Sequence, residues 1–210
     1  MRYLIMACLF GLSFVARAEE KPAIPGWSSY QGGDYSTALK LFEEGAREGE
    51  PVAEFNLAMM YWHGQGVSAN RNKSLELLRK SAGHGLSRAQ YAMGLLYENG
   101  DGVPRSQPEA TRWFDLAARQ GYRDAQVSLG TQYYLGRGVS QDYLQAAKWY
   151  KAAAEQGDVG AQYLLASLYE HGDGVERDLR EAIRWYALAA RQGDVAASLK
   201  ARELARRLVE

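Results

Sequence analysis

Histidine side chains are the first candidates for chemistry in this chain, because imidazole transfers protons and binds metal ions near neutral pH. The chain has three of them: His63, His84 and His171. They lie far apart, and the single cysteine, Cys8, is in a leading segment that we expect to be removed. No metal-ligand spacing and no grouping of serine, histidine and aspartate stands out. The sequence therefore predicts no metal, no cofactor and no catalytic residue.

Glycine pairs that look like part of a phosphate-binding loop occur at several places. Gly64-Gln65-Gly66 is the first, and the Gly-x-Gly-Val pattern recurs three more times at steps of 36 residues. A phosphate loop lies between a strand and a helix, whereas each of these motifs follows a predicted helix. We therefore interpret the motif as a turn between helices and not as a nucleotide site.

A recurring basic position could bind an acidic segment of a partner. Four of the five residues at this position, which are spaced by 36 residues, are basic. A glutamate lies three residues before Arg112 and before Arg184, so ion pairs within a helix are the competing interpretation. Leu116 and Leu188 lie one helical turn further and would add apolar contact. This basic column consists of Lys40, Glu76, Arg112, Lys148 and Arg184.

Two aromatic residues, Trp62 and Tyr134, are further candidates for contact with a partner. Each directly follows a recurring tyrosine, and the equivalent residues in other repeats are Glu98 and Glu170. Glutamate is rarely buried without a partner, so we expect this position to face solvent. An exposed aromatic ring would then offer an apolar surface to a binding protein.

An internal repeat of 36 residues arranges all of these candidates. Glycines, alanines and tyrosines recur at this step without a single insertion. Such regularity is typical of stacked structural units, in which each unit buries its apolar faces against its neighbours. The clearest series are Gly49, Gly85, Gly121, Gly157 and Gly193, and Ala53, Ala89, Ala125, Ala161 and Ala197.

Each repeat is predicted to form two helices, as the fourth copy illustrates. Asp142 can accept hydrogen bonds from the free N–H groups of a first turn, and apolar residues follow at helical spacing. Gly157 ends this helix, and a second helix begins near Val159 and ends at Gly172. The aromatic residues have the period of a buried face, so we interpret them as core and not as a stacking site for sugars or proline-rich peptides. The predicted N-caps are Asp34, Asn70, Ser106, Asp142 and Asp178.

The repeats are predicted to fill residues 34–210, after a linker or cap at 19–33. We expect one helical turn in this linker, around Trp27 to Tyr30. The second helix of the last repeat is rich in charged residues, and we expect it to face solvent as a polar cap. The predicted repeats span 34–69, 70–105, 106–141, 142–177 and 178–210.

These residues resemble the Sel-1-like repeat family, a relative of the tetratricopeptide repeats. Leu41 and Leu77 depart from the family pattern, which usually has tryptophan at this position. The fourth repeat carries the motif in full, as Ala146, Trp149-Tyr150, Ala153-Ala154, Gln156-Gly157-Asp158, Ala161, Leu165, Tyr169 and Gly172-Asp173-Gly174-Val175.

The resemblance implies an all-α fold: a right-handed α/α superhelical solenoid of five helix-turn-helix repeats, about ten helices, with the first helices lining a concave face. It also implies a role as a scaffold or adaptor. Exported bacterial relatives serve envelope assembly, polysaccharide export, signalling control and the neutralisation of toxins. Because the motif residues are structural, the resemblance assigns none of them to a functional site.

The first 18 residues have the pattern of an export signal. Arg2 supplies positive charge, an apolar stretch covers 4–15, and Ala16-Arg17-Ala18 offers the small residues that signal peptidase requires. We predict cleavage after Ala18 and a periplasmic or secreted protein. A retained membrane anchor is one alternative, although the apolar stretch is shorter than the ~20 residues that span a bilayer. A lipoprotein attached through Cys8 is another, weakened by the short apolar segment before it.

Charge and composition narrow the function. Without Arg2 and Arg17 the chain has two more acidic than basic residues, so it lacks the positive charge typical of nucleic-acid-binding proteins. We expect a monomer without a transmembrane segment that binds another protein, envelope-associated or a secreted effector, as a non-catalytic periplasmic scaffold or adaptor. The alternatives are an immunity-like protein that neutralises a periplasmic toxin and an envelope hydrolase acting on peptidoglycan or β-lactams.

Overall fold

The computed structural model describes residues 25–209. The predicted export signal at 1–18 and the first part of the predicted linker lie outside this range. Within it the chain forms eleven α-helices and no strand, which confirms the all-α fold. The helices are α1 Trp27–Gln31, α2 Tyr35–Arg47, α3 Pro51–His63, α4 Arg71–Gly83, α5 Ser87–Asn99, α6 Gln107–Arg119, α7 Arg123–Leu135, α8 Tyr143–Glu155, α9 Val159–His171, α10 Leu179–Arg191 and α11 Val195–Arg207.

Ten of the described helices form five pairs that follow the predicted repeat. The first helices of the pairs are α2, α4, α6, α8 and α10, and the second helices are α3, α5, α7, α9 and α11. Each has 13 residues, and α9 begins at Val159, where the second helix of the fourth repeat was expected. The short helix α1 precedes the pairs and confirms the helical turn predicted around Trp27 to Tyr30.

Side-chain caps begin the first helices. Asp142 accepts a hydrogen bond from the backbone N–H of Gln145 at 3.0 Å, and Asn70 accepts one from Lys73 at the same distance. All five predicted N-caps make a contact of this kind. Each contributes about 1 kcal/mol, because it satisfies a backbone donor that the helix leaves free.

The Gly-x-Gly-Val turns pack against the beginnings of first helices. Gly174 has a φ angle of +69°, and a Cβ atom there would lie 2.2 Å from the backbone carbonyl carbon of Tyr143. Gly138 approaches Gln107 in the same way, with an added Cβ 2.3 Å from the carbonyl oxygen. Both the backbone conformation and the close approach require glycine. The turn therefore packs the end of the second helix of a pair against the beginning of the first helix of the same pair.

Two compact units divide the described chain, with the boundary between Ala92 and Met93 inside α5. In the first unit α1 packs on α2, α2 on α3, and α3 on α4. In the second unit each helix from α6 to α11 packs on the next. Packing of consecutive helices in five matching pairs is consistent with the predicted solenoid.

Aromatic side chains from first helices fill the core of the second unit. Tyr150 and Tyr186 are each 1% exposed, and Trp149 and Trp185 are buried as well. Gly130 gives Tyr150 its space, because an added Cβ atom there would lie 2.8 Å from the ring. The predicted core role of these aromatic positions is confirmed.

The last helix, α11, differs from the other second helices. Arg202 stands at the position that holds Gly94 and Gly130 in earlier repeats, where the glycines make space for the rings of Phe114 and Tyr150. The polar cap predicted for this helix is nevertheless incomplete. Val195 and Leu199 are 72% and 62% exposed, so the outer surface of α11 is mixed.

Candidate protein-interaction surface

Three members of the basic column lie on the surface of the second unit. Arg112, Lys148 and Arg184 occupy the same position in α6, α8 and α10, and all three are exposed. Arg112 Nη1 lies 3.6 Å from Glu109 Oε2, and Arg184 Nη1 lies 2.8 Å from Glu181 Oε2. The ion pairs that the spacing predicted as a competing interpretation therefore form. Exposed pairs of this spacing contribute only ~0.2–0.5 kcal/mol, so a partner carboxylate can replace them.

Neighbouring tryptophans support two of these cations. Lys148 Nζ lies 5.2 Å from the centre of the Trp149 ring, and the guanidinium carbon of Arg184 lies 4.8 Å from the Trp185 ring. Such cation–π contacts are worth ~0.5–1 kcal/mol at exposed sites. They orient the charged groups while the N–H donors stay accessible to an anion.

Leucine side chains accompany the cations on two of the helices. Leu116 follows Arg112 by one turn and is 38% exposed. Leu188 follows Arg184 by one turn and is half-buried. Residues four apart share one side of a helix, so α6 and α10 each present a basic and an apolar group together.

The basic column changes character in the first unit. Lys40 on α2 is exposed, but the equivalent residue of α4 is Glu76. Glu76 Oε1 lies 2.9 Å from Lys80 Nζ, and this hydrogen bond lowers the pKa of the carboxyl. The two charges largely neutralise one another, so α4 does not extend the positive character of the column.

The expectation that the Trp62 and Tyr134 position faces solvent is wrong for Glu170. This carboxylate is 7% exposed. It accepts hydrogen bonds from the phenol of Tyr186 at 2.9 Å and from Lys200 Nζ at 3.0 Å. Burial alone would raise the pKa of Glu170, but the hydrogen bonds from Lys200 and Tyr186 outweigh burial and lower it. Burial and the adjacent carboxylate raise the pKa of the Tyr186 phenol.

The other residues at this position also have partners. Glu98 accepts a hydrogen bond from Gln132 Nε2 at 2.8 Å. Trp62 is half-buried, with the guanidinium carbon of Arg71 3.8 Å from its ring centre. Trp62 and Tyr134 therefore each offer only part of a ring to a partner.

An exposed apolar patch near the Gly-x-Gly-Val turn of the third repeat was not predicted from the sequence. The rings of Tyr134 and Tyr143 lie 5.3 Å apart, next to Leu135 and Leu144, which are 45% and 63% exposed. The sequence did contain a signal for this patch. Leu135 is an apolar residue at a position that is His63 in the first repeat.

Glutamine pairs, also missed, connect successive repeats of the second unit, each joining a buried glutamine to an exposed one. Gln156 Nε2 donates to Gln126 Oε1 at 2.8 Å and lies 3.2 Å from the carbonyl oxygen of Gly121. Gln192 and Gln162 repeat this contact at 2.9 Å. The recurring Gln-Gly dipeptide signalled one partner of each pair, but nothing in the sequence connected it to a residue 30 positions earlier.

The histidines are not part of a metal-binding cluster in the described residues, although His84 contacts the carboxylate of Glu54. Across residues 25–209, no group of three His, Cys, Asp or Glu side chains could hold a metal ion. His171 Nδ1 lies 2.8 Å from the carbonyl oxygen of Ser167, within its own helix. Burial lowers the pKa of His63, and the charge of Arg71 lowers it further.

Among the described helices, none has the length and apolar character needed to cross a bilayer.

Paired helices that leave an exposed, mixed surface define a helical-repeat interaction protein. The Sel1 repeat profile matches residues 28–50, 51–86, 87–122, 123–158 and 159–194. The chain belongs to the Sel1 repeat family. Sel1 repeat proteins are protein-interaction scaffolds, and the family is generally non-catalytic. No curated protein matches the chain significantly.

Solved structures of Sel1 repeat proteins are similar to the chain. The protective antigen c5321 of uropathogenic Escherichia coli is 32% identical with a TM-score of 0.77; the match covers 83% of this chain but 38% of that protein. A Sel1 repeat protein from Oxalobacter formigenes is 30% identical with a TM-score of 0.79, covering 85% of this chain and 73% of that one. The immunity protein PA5088 of Pseudomonas aeruginosa is 26% identical with a TM-score of 0.50, covering 87% and 70%.

Proposed function

We propose that this protein is an exported, non-catalytic scaffold that binds a partner protein through exposed positions of its first helices. The proposal rests on the difference between the residues that build the repeats and the charged residues that remain exposed. Most recurring residues pack, cap or turn the chain, whereas Arg112, Lys148 and Arg184 keep their charged groups at the surface. Their ion pairs add little to the stability of the fold, so we expect their main contribution to be to binding.

The geometry of this surface favours an acidic partner segment with some apolar character. Arginine is a frequent energetic anchor in protein interfaces. Trp149 and Trp185 hold two of the cations in place, which reduces the side-chain entropy lost on binding. Leu116 adds apolar area beside Arg112.

Affinity capture with matched variants tests the proposal. Residues 19–210 with a carboxy-terminal tag are recovered from periplasmic extract at low salt, and bound proteins are quantified by mass spectrometry. The test variant changes Lys40, Arg112, Lys148 and Arg184 to glutamate. The control variant also changes four residues to glutamate, at exposed arginines outside the basic column: Arg88, Arg180, Arg202 and Arg206.

We expect a partner that binds the wild type and the control variant. The amount of this partner recovered with the test variant should be at least about tenfold lower, which corresponds to a loss of ~1.4 kcal/mol in binding free energy. Circular dichroism of both variants must show the helical spectrum of wild type. Equal recovery with both variants would contradict a site on the basic column and direct attention to Trp62, Tyr134 and their neighbours.

A second candidate, neutralisation of a periplasmic toxin, is supported by the likeness to the immunity protein PA5088, at 26% identity and a TM-score of 0.50. In this case the partner would be a secreted effector. An effector encoded beside this gene is directed to the periplasm of a test strain, with and without this protein. Restored growth that the test variant fails to give would support immunity; growth arrest despite full expression of wild type would refute it for that effector.

A further inference from the structure

An open groove of about 530 Å³ lies in the first unit between α2 and α4. Its floor consists of Leu57 from α3 and Leu77 from α4, which are 3% and 8% exposed. Ala46 lines the α2 side.

We call this groove, lined by Leu57, Leu77 and Ala46, the peptide groove. It lies at a position where later repeats have a tryptophan side chain. Leu77 is equivalent to Trp149 and Trp185, which are 8% and 4% exposed. A leucine side chain is smaller than an indole, so the α4 position leaves space above Leu57 that the later repeats fill themselves. The space fits one bulky apolar side chain of a partner.

The rim of the peptide groove is mainly basic. Arg47 Nε donates to the carbonyl oxygen of Glu43 at 3.1 Å, and Lys73 Nζ lies 4.2 Å from the centre of the Tyr61 ring. In the described part of the chain neither Arg47 nor Lys73 pairs with a carboxylate. The Lys73 ammonium also donates a hydrogen bond to the Tyr61 hydroxyl, which carries no compensating charge. The positive charges of Arg47 and Lys73 are therefore not neutralised by a carboxylate, whereas Lys80 pairs with Glu76. The charged residues on the rim are Arg47, Lys73, Lys80 and Glu43.

We propose that the peptide groove binds an acidic segment of a partner protein that carries one bulky apolar side chain. The apolar group sits above Leu57, and flanking carboxylates meet Arg47 and Lys73. Local charge complementarity selects an acidic segment over a basic one. The inference rests on the proposed function, since it names the chemistry of one partner segment, but none of the residues that line the groove belongs to the basic column.

Titration of defined peptides measures this binding directly. The probe is the fluorescein-labelled, amidated nonapeptide GSEDFEDSG, followed by fluorescence anisotropy with residues 19–210 at low salt. Two control peptides separate the contributions: GSEDAEDSG lacks the apolar group, and GSKKFKKSG reverses the charge. We expect the acidic phenylalanine peptide to bind with a Kd below about 1 mM, and both controls at least about tenfold more weakly.

Two variants locate the site. Leu77→Trp restores the residue that the later repeats have and fills the groove, and Lys73→Glu reverses one rim charge. Each should weaken binding at least about tenfold, the threshold expected for loss of an interface anchor. Lys151→Glu makes the same charge reversal on α8 and should bind like wild type. Circular dichroism and thermal unfolding establish that each variant is folded. If Leu77→Trp does not fold, the peptide affinities of Lys73→Glu and Arg47→Glu test the location of the site.

The outcomes separate this inference from the proposed function. Failure of the acidic peptide to bind, equal binding of the basic peptide, or full binding by folded Leu77→Trp and Lys73→Glu would each overturn the groove assignment. Affinity capture could still succeed in that case, and the scaffold proposal would stand. Conversely, peptide binding without any captured partner would support the groove and weaken the role proposed for the basic column.

Discussion

The carboxylate of Glu54 lies 2.8 Å from Nδ1 of His84, at the position where the later repeats join two glutamines. Glu54 is 2% exposed, and this contact gives its buried carboxylate a hydrogen-bonding partner within the protein. The first unit therefore uses a carboxylate and an imidazole for the connection that Gln126 and Gln156 make in the second unit.

Replacing this pair by the glutamines of the later repeats should preserve stability. His84→Ala leaves a buried carboxylate without its partner, and we expect a loss of ~1–3 kcal/mol in the free energy of unfolding. The double variant Glu54→Gln with His84→Gln should stay within ~1 kcal/mol of wild type, because both amides find partners as they do elsewhere. Urea denaturation at neutral pH measures the difference. A double variant no more stable than His84→Ala would contradict the equivalence.

The interaction of Glu170 with Lys200 and Tyr186 should make stability depend on pH. The pKa of Glu170 is lowered in the folded protein from its ordinary value of 4.5. A carboxyl group with a lowered folded pKa contributes stability that is present above about pH 4.5 and is lost as the pH falls through the folded pKa.

Glu170→Gln tests this dependence, because glutamine has nearly the same shape without the titration. We expect the variant to be less stable than wild type by ~1–3 kcal/mol at pH 7, since charge-assisted hydrogen bonds are lost. The difference should narrow as the pH falls below about 4.5. Thermal unfolding from pH 3 to pH 7 follows it, and a gap that stays constant over this interval would exclude Glu170 as the titrating group.

Two glycines with left-handed backbone separate conformational strain from steric contact. Gly174 and Gly157 have φ angles of +69° and +88°. An added Cβ atom at Gly174 would meet the Tyr143 backbone at 2.2 Å, whereas one at Gly157 would point into open space in the described part of the chain. Gly157→Ala should lose ~1–2 kcal/mol from backbone conformation alone. Gly174→Ala should lose at least ~2 kcal/mol more, because a backbone atom cannot move aside as a flexible side chain can. Equal losses in thermal or urea unfolding would contradict the predicted packing of the turn.

Export should remove the leading segment. We propose that the mature protein begins at Glu19, so its intact mass should lack residues 1–18. Ala18→Asp places a charged side chain where signal peptidase accepts only small residues, and the longer precursor should accumulate. Mass spectrometry of the periplasmic and membrane fractions measures both species. Wild-type protein that retains residues 1–18 would support the alternative of a membrane anchor.

The repeat and its helices followed from the sequence because their signals are local. Asp142, Gly157 and Gly172 mark where helices of the fourth repeat begin and end, through capping and turn geometry within a few residues. The buried aromatic face was equally predictable, since an apolar period of 3.6 requires a face that packs. The same periodicity could not assign a function to exposed side chains.

The environment of single polar residues was decided only by the tertiary structure. Glu170 and Trp62 hold equivalent positions, yet one is a buried carboxylate held by Lys200 and the other is a ring beneath Arg71. Lys200 follows Glu170 by 30 residues, in the next repeat, and no local pattern announces that contact. Burial and pairing depend on which side chains adjacent helices bring together. The sequence by itself determined the helices and their order, whereas packing between helices decided which of its charges remain free for a partner.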